Sequence, residues 1–163
     1  MAVYTEVSDD ELARFIDVYA LGRLLSFKGI AEGVENTNYL VHTTDGTFIL
    51  TLYEKRVDPA DLPFFLGLME HLSAGGVTCP LPVRDNNGRV LNVLAGRQAA
   101  LITFLEGVWP KRPKVAHAQE LGKALARGDP QLPLDQVLTR DRFGHRMLDL
   151  QPCVHFHEPD AVG

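Results

Sequence analysis

The chain has 163 residues, of which 45% are hydrophobic and 23% are charged, a composition typical of a single globular domain. Its formal net charge of −5 gives no support to a nucleic-acid partner or an anionic membrane surface. No apolar run reaches the roughly 18 residues of a membrane helix, and the acidic N-terminus lacks the apolar segment of a secretory signal. Cys79 and Cys153 are too few for a disulfide framework, so we expect a cytoplasmic protein.

The N-terminal part of the chain predicts a helix followed by an antiparallel meander. Ser8 and Glu11 have the spacing of a capping box, and the helix that they begin is predicted to end at Leu21-Gly22. Asp45-Gly46 is the strongest hairpin signal in the sequence and lies between the second and third predicted strands. The three predicted strands of this meander cover residues 23–28, 39–44 and 47–54.

The next part of the chain predicts two more helices and further strands. Residues 62–74 have the apolar spacing of a buried helix, which Gly75-Gly76 ends. A hairpin over residues 83–91 is predicted to turn at Asn87-Gly88. A buried strand over 99–105, a connector over 106–110 and a helix over 115–127 follow. This order predicts an α+β fold, in which an antiparallel sheet has a helix inserted after its third strand.

The connection between the first two predicted strands is longer than a tight hairpin requires. Residues 29–38 have the sequence GIAEGVENTN, whereas a tight hairpin loop has about two to five residues. Backbone N–H groups of a glycine-bearing loop can approach phosphate oxygens closely, because no Cβ intervenes. The connection is therefore a candidate for contact with a phosphate-bearing ligand, although only Gly29 and Gly33 are present from the kinase pattern G-x-G-x-x-G.

Three long blocks of sequence resemble one family, in the same order. They are VSDDELARFIDVYALGRLLSFKGIAEGVENTNYLVHTTDGTFILTLYEKR, DLPFFLGLMEHLSAGGVTCPLPV and GRQAALITFLEGVWPKRP, at residues 7–56, 61–83 and 96–113. From about residue 1 to about residue 126, the chain resembles bacterial homoserine kinases of the aminoglycoside-phosphotransferase and choline-kinase-like superfamily. The resemblance implies a protein-kinase-like small lobe that binds ATP and Mg²⁺, and an enzyme that phosphorylates the hydroxyl of L-homoserine in threonine biosynthesis.

The same resemblance implies a set of nucleotide-binding residues. In related kinases a basic residue in the third strand compensates phosphate charge. Thr51 lies near the expected strand position here and is not basic, so Lys55 or, as a second choice, Lys28 would replace it. The segment that leads into Gly107 would be the hinge that offers backbone groups to adenine. The implied nucleotide-binding residues are Lys28, Gly29, Gly33, Asn36, Asn38, Thr51, Lys55, Thr103, Leu105 and Gly107.

The resemblance also divides the chain into three parts. Residues 1–107 would form the nucleotide-binding lobe, and residues 108–127 a connector and the first helix toward a C-terminal lobe. Residues 128–163 depart from the family, and we expect this tail to be disordered or the product of a frame shift. The catalytic loop H-G-D-x-x-x-x-N of the superfamily is absent from the sequence. We therefore expect a truncated chain without catalytic or metal-binding residues, which alone has little or no kinase activity.

Two alternatives to a homoserine kinase remain open from the residues. One is a non-catalytic nucleotide-binding remnant, because the groups that would perform the transfer are missing. The other is a kinase of the same superfamily that acts on another small alcohol or an aminoglycoside, since the C-terminal lobe normally sets substrate choice. Cys153, His155, His157 and Glu158 do not predict a metal site, because a zinc site needs three or four ligands held by a folded frame, and the second half of such a set is absent from the sequence. The oligomeric state is left open by the sequence.

Overall fold

The computed structural model of the chain describes residues 5–31, 35–54, 58–107 and 112–127. The chain divides into two compact units, Met1–Glu70 with Pro80–Phe104 and His71–Cys79 with Leu105–Gly163. The helices and strands of the described residues are α1 (Asp9–Ile16), β1 (Leu24–Gly29), β2 (Thr37–Thr43), β3 (Gly46–Tyr53), α2 (Leu62–Ala74), β4 (Asn92–Leu94), β5 (Arg97–Thr103) and α3 (Val115–Arg127). The predicted helices over 62–74 and 115–127 are thus confirmed with the same bounds.

The first unit is built on a five-stranded antiparallel sheet with the strand order β1-β2-β3-β5-β4. The predicted meander is confirmed, and Thr43 pairs with Gly46 at the predicted hairpin turn. The short strand β4 pairs only with the first three residues of β5. Beyond it, the N–H of Val83 donates to the carbonyl of Leu101 at 2.8 Å, and the N–H of Thr103 donates to that of Leu81 at 2.9 Å. Both sides of β5 are therefore hydrogen-bonded along most of its length.

One face of the sheet, called the core face below, is part of the same hydrophobic cluster as α1. Alternation along the strands buries Tyr39 and Val41 of β2 with Leu50 and Leu52 of β3 on this face. On α1, Leu12 and Ile16 are fully buried in the same cluster, together with Phe15, Tyr19, Leu94, Ala99 and Leu101. Complete burial of a side chain of this size contributes about 1.5–3 kcal/mol, so this face supplies much of the stability of the unit.

The first helix begins as predicted but is shorter than predicted. The hydroxyl of Ser8 accepts a hydrogen bond from the N–H of Glu11, whose carboxylate accepts one from the N–H of Ser8, so the predicted capping box is confirmed. The hydrogen bonds from Ser8 also lower the pKa of Glu11. The helix ends at Ile16, because the next turn is tightened: Tyr19 N–H donates to Ile16 O at 2.9 Å.

The strand pairing predicted over residues 83–91 is wrong, but the chain does turn at Asn87 and Gly88: Gly88 N–H donates to Asp85 O, and Asp85 N–H donates to Arg89 O, both at 2.9 Å. The buried carboxylate of Asp85 accepts hydrogen bonds from the N–H groups of Asn87 and Arg89, both at 2.8 Å, and this interaction replaces a strand ladder with a closed loop. The hairpin lies further along the chain, between β4 and β5. Its two central residues, Ala95 and Gly96, have φ angles of 49° and 72°, as a tight hairpin turn of the primed type requires. Alanine is rare at positive φ, so the sequence gives no clear signal for this turn.

Candidate functional site

Three of the predicted nucleotide-binding residues lie on the sheet face opposite the core face, which we call the second face. Asn38 pairs directly with Thr51, and Lys28 pairs with Leu40, two residues further along β2. Residues that pair directly share a face, and neighbours in a strand alternate, so Lys28, Asn38 and Thr51 point to the side away from Tyr39 and Leu50. The register therefore brings these three side chains onto one surface, beside the end of β1 where the long connection begins.

Thr51 and Asn38 form a neutral, hydrogen-bonded pair on this face. The hydroxyl of Thr51 donates to Oδ1 of Asn38 at 2.8 Å, and the side chain of Thr51 is only 6% exposed. A neutral hydroxyl cannot compensate phosphate charge. Its bond to Oδ1 leaves the two donors on Nδ2 of Asn38 as the polar groups that this pair can offer to an anion.

Lys28 is the cation that the described structure places on this face. It is exposed, and among the described residues it makes no hydrogen bond or ion pair. Its position is diagonal to Asn38 across β1 and β2, a separation of about 7–8 Å that long side chains can span. Lys55, the first choice from the sequence, and Gly33 lie outside the described residues. Lys28 is therefore the candidate that the described geometry supports.

The two ends of the long connection are held by backbone and side-chain hydrogen bonds. Gly29 pairs with Tyr39, and the N–H of Ile30 donates to the carbonyl of Asn38 at 2.8 Å, so the ladder continues one residue past β1. At the other end, Oδ1 of Asn36 accepts a hydrogen bond from the N–H of Glu54 at 3.4 Å. Gly29 and Asn36 thus lie at the beginning and the end of the connection, and both are tied to neighbouring strands.

The predicted hinge residues belong to two different units. Thr103 ends β5 in the first unit, where its N–H donates to Leu81 O and its hydroxyl accepts from Leu81 N–H, both at 2.9 Å. Its N–H is therefore already used within the protein. Leu105 and Gly107 belong to the second unit, where Leu105 is partly buried and Gly107 is exposed.

A partly buried polar network that the sequence did not indicate lies at the end of β3. Glu54 accepts hydrogen bonds from the hydroxyls of Thr5 and Thr37, at 2.6 and 2.9 Å, and from Nε of Arg97 at 2.8 Å. Burial opposes ionisation of this carboxyl, but these hydrogen bonds and the positive charge of Arg97 outweigh it and lower the pKa of Glu54. The only local feature of the sequence that points to this network is Glu54 itself, a charged residue that directly follows an apolar strand.

A second network fixes the loop before β4. Besides its two backbone N–H donors, the Asp85 carboxylate accepts from Nε of Arg89 at 3.0 Å. Burial opposes ionisation, but the hydrogen bonds from Arg89, Asn87 and Asn92 outweigh it and lower the pKa of Asp85 from 3.8 to about 2. Asn92 also donates to the hydroxyl of Tyr19 at 3.0 Å, and burial raises the pKa of that tyrosine. These groups connect the loop to the chain that follows α1, and their role is structural.

The described residues contain no group of three or more His, Cys, Asp or Glu side chains that could hold a metal ion. Two open grooves border α1. One of about 490 Å³ is lined by Asp9, Asp10 and residues 24–27, and one of about 320 Å³ is lined by Glu11, Arg14 and residues 92–95. Neither groove contains Lys28, Asn38 or Thr51. Within the described parts of the chain, no helix is long and apolar enough to cross a membrane.

Comparison with known proteins supports the resemblance seen in the sequence. A family model described as "Phosphotransferase enzyme family" matches residues 26–150. The chain is 67% identical over 127 residues to the homoserine kinase of Acidiphilium cryptum, which covers 78% of this chain and 40% of that protein. It is 65% identical over 127 residues to the homoserine kinase of Nitrobacter winogradskyi, with 78% and 39% covered. The chain thus spans about two fifths of the length of these relatives.

A solved structure shows the same fold. The chain superposes on the crystal structure of a spectinomycin phosphotransferase in complex with ADP and spectinomycin, with a TM-score of 0.64 over 97% of this chain and 50% of that one. The two sequences are 12% identical, so this likeness concerns the fold alone. It confirms the predicted α+β fold, a kinase-like small lobe made of an antiparallel sheet with an inserted helix.

Proposed function

The chain belongs to the phosphotransferase enzyme family, and we propose that it is a homoserine kinase-type protein that takes part in the ATP-dependent phosphorylation of the L-homoserine hydroxyl in threonine biosynthesis. The observation that supports this proposal is an identity of 62–67% with homoserine kinases over 126 or 127 residues. At this level of identity, this chain and each of these homoserine kinases share the fold and most of the side chains of the described lobe.

The proposed contribution of the described residues is to bind ATP. Phosphoryl transfer depends mainly on positioning and on compensation of phosphate charge, so a lobe that orients the nucleotide contributes directly to the rate. In the transfer, the hydroxyl oxygen of homoserine forms a bond to the γ-phosphorus, the bond to the β,γ-bridging oxygen breaks, and ADP leaves. The hydroxyl proton passes, in related kinases, to the Asp of the catalytic loop, which this sequence lacks. Lys28 would attract the phosphates, and the backbone of Gly29 and the Nδ2 donors of Asn38 would orient them.

Mg²⁺ is the proposed companion of ATP, since it neutralises charge on the β- and γ-phosphates in kinases. The described residues do not fit a metal site of their own, because they contain no cluster of suitable ligands. In this proposal the ion is therefore bound by the nucleotide, and no step is assigned to a metal-binding residue of the described lobe.

The proposal is tested first by calorimetry of MgATP binding to the purified chain. Saturable binding of one nucleotide per chain is expected, with MgCTP as the control for base selectivity. Absence of binding to a chain that circular dichroism shows to be folded would remove the nucleotide-binding proposal.

The assignment of this chain to the homoserine kinase type is tested with a chimera, because the catalytic loop H-G-D-x-x-x-x-N is absent from the sequence and the chain alone is expected to release little or no ADP. The matching 127 residues of the Acidiphilium cryptum homoserine kinase are replaced by those of this chain. Homoserine-dependent ADP release from the chimera, at a rate near that of the parent enzyme, is the expected result. A chimera that folds and binds ATP but does not phosphorylate homoserine would contradict the assignment.

A further inference from the structure

We propose that Glu54 is a positioning residue, whose carboxylate fixes the end of the β1–β2 connection where ATP would bind. This inference rests on the proposed function, because the nucleotide site at the connection is itself a proposal. Glu54 does not lie on the second face with Lys28 and Asn38. It acts, in this proposal, through the residues that it holds.

Both carboxylate oxygens of Glu54 are used within the protein. Oε1 accepts from the hydroxyls of Thr5 and Thr37, at 2.6 and 2.9 Å. Oε2 accepts from Nε of Arg97 at 2.8 Å, which also places a positive charge beside the carboxylate. The side chain of Glu54 is 11% exposed, and Thr37 is fully buried. A charge with so little access to water is retained only when its hydrogen bonds are satisfied, so these four side chains form one interdependent network.

Glu54 can fix the end of the connection because it forms hydrogen bonds with the last two residues before Asn38. Thr37 is the first residue of β2, and its hydroxyl donates to Glu54. The residue before it, Asn36, accepts a hydrogen bond from the N–H of Glu54 at 3.4 Å. Residue 54 thus holds two consecutive residues at the point where the connection enters the sheet. The next residue, Asn38, points to the second face, where the phosphates would lie.

The segment before α1 also holds the beginning of β2 in place. The N–H of Thr5 donates to the hydroxyl of Thr37 at 3.1 Å, and its carbonyl accepts from the hydroxyl of Tyr39 at 2.8 Å. Arg97 is the first residue of β5, so the network joins β2, β3, β5 and the segment before α1. An anchor that joins four segments restricts Asn36 and Thr37 more than the β1–β2 ladder alone, which ends at the hydrogen bond from Ile30 N–H to Asn38 O.

The test uses the complete 163-residue chain and four variants. Thr37→Val removes the hydroxyl at constant shape, whereas Thr37→Ser keeps it. Glu54→Gln removes the negative charge and replaces one of the two acceptor oxygens with an N–H donor. Glu70→Gln is the matched control, because it breaks an ion pair in the same unit, with Arg84 at 2.6 Å, on an exposed surface.

Two quantities are measured for each variant. The first is amide hydrogen exchange of a peptide that covers residues 35–41, without nucleotide. The second is the Kd of MgATP. For Thr37→Val and Glu54→Gln, we expect exchange about tenfold faster and a Kd about threefold to tenfold higher, since each loses a hydrogen bond that a buried network needs. Thr37→Ser and Glu70→Gln should remain within about twofold of the wild type in both measurements.

The outcomes separate this inference from the proposed function. Unchanged exchange and Kd in both Thr37→Val and Glu54→Gln would overturn the positioning role. Faster exchange with unchanged Kd would overturn its connection to the nucleotide. If the wild type itself binds no MgATP, the proposed function fails together with that connection, while the exchange data still decide whether Glu54 orders residues 35–41. If Thr37→Val does not fold, Arg97→Gln tests the same network from Arg97, whose side chain is 30% exposed.

Discussion

Thr51 and Asn38 lie directly opposite each other on β3 and β2, and the Thr51 hydroxyl donates to Asn38 Oδ1 at 2.8 Å. This neutral pair occupies the strand position near which related kinases have a basic residue. Among the described residues, the cation that lies on the same face is Lys28, on the edge strand β1. In the proposed function the pair would contribute to stability and the lysine to attraction of phosphate, and substitutions should distinguish these two roles.

Substitution of Thr51 is expected to reduce stability. Thr51→Val keeps the shape of the side chain but leaves Asn38 Oδ1 without its donor, which should lower the free energy of unfolding by about 0.5–1.5 kcal/mol. Thr51→Ser keeps the hydroxyl and should recover most of the hydrogen-bond contribution. Urea unfolding followed by circular dichroism measures both variants. A Thr51→Val variant as stable as the wild type would show that the hydrogen bond contributes nothing net.

Substitution of Lys28 is expected to weaken nucleotide binding without loss of stability. Lys28 is exposed and makes no ion pair among the described residues, so Lys28→Gln should change the free energy of unfolding by no more than about 0.5 kcal/mol. The Kd of MgATP should rise about tenfold at low salt, and the difference from the wild type should shrink as salt screens the charge.

Lys123→Gln is the control for this experiment, because Lys123 is an exposed lysine on α3 that pairs with Glu120 at 2.6 Å. Its Kd for MgATP should match that of the wild type. Equal loss of affinity in both variants would mean that net charge, rather than the position of Lys28, determines binding.

The helices and turns that depend on neighbouring residues could be predicted from the sequence. Apolar spacing followed by Gly75-Gly76 gave the bounds of α2, and Asp45-Gly46 gave the β2–β3 hairpin. The strand pairing over 83–91 was wrong because a single buried carboxylate, that of Asp85, bonds the backbone groups that a ladder would have used. Turn composition alone does not reveal such a competitor.

The candidate site shows the same limit. Strand alternation is sufficient to put Lys28, Asn38 and Thr51 on one face once the register is known. The Glu54 network could not be foreseen, because its members come from distant parts of the chain. Thr5 and Arg97 both reach the Glu54 carboxylate only in the folded sheet. Contacts of this kind depend on tertiary packing, which spacing in a sequence does not encode.

Stability at low pH is expected to depend on Asp85. The pKa of this carboxyl is lowered from 3.8 to about 2 in the folded chain, so its ionised form stabilises the fold above the unfolded pKa and this contribution is lost as pH falls through the folded value. Urea midpoints of the wild type and Asp85→Asn, measured from pH 6 to pH 2, should differ most above about pH 4 and converge toward about pH 2. Asp17→Asn is the control for removal of a carboxylate at an exposed site. A pH-independent difference for Asp85→Asn would contradict the role of ionisation.

Alanine substitutions at two glycines are expected to have opposite effects on stability. Gly22 has a φ of +71°, and a Cβ there would lie 1.8 Å from Thr44 Oγ1 and 2.7 Å from Asp45 Oδ1. Thr44 Oγ1 cannot simply turn away, because it accepts a hydrogen bond from Arg23 N–H at 3.1 Å. Gly22→Ala should therefore cost at least about 1–3 kcal/mol from the backbone conformation and the clash together.

Gly67 is the matched position, because it lies on the exposed side of α2 and a Cβ there meets no atom within 4 Å. Gly67→Ala should raise the free energy of unfolding by about 0.5–1 kcal/mol, since alanine loses less conformational freedom in a helix. The double variant Gly22→Ala/Thr44→Ala separates the cost of the positive φ from the cost of the clash, because it removes the Thr44 hydroxyl and keeps the backbone conformation at residue 22. The double variant should lose less stability than the sum of its single changes. Strict additivity in urea unfolding would show that the contact between residue 22 and Thr44 has no part in the cost.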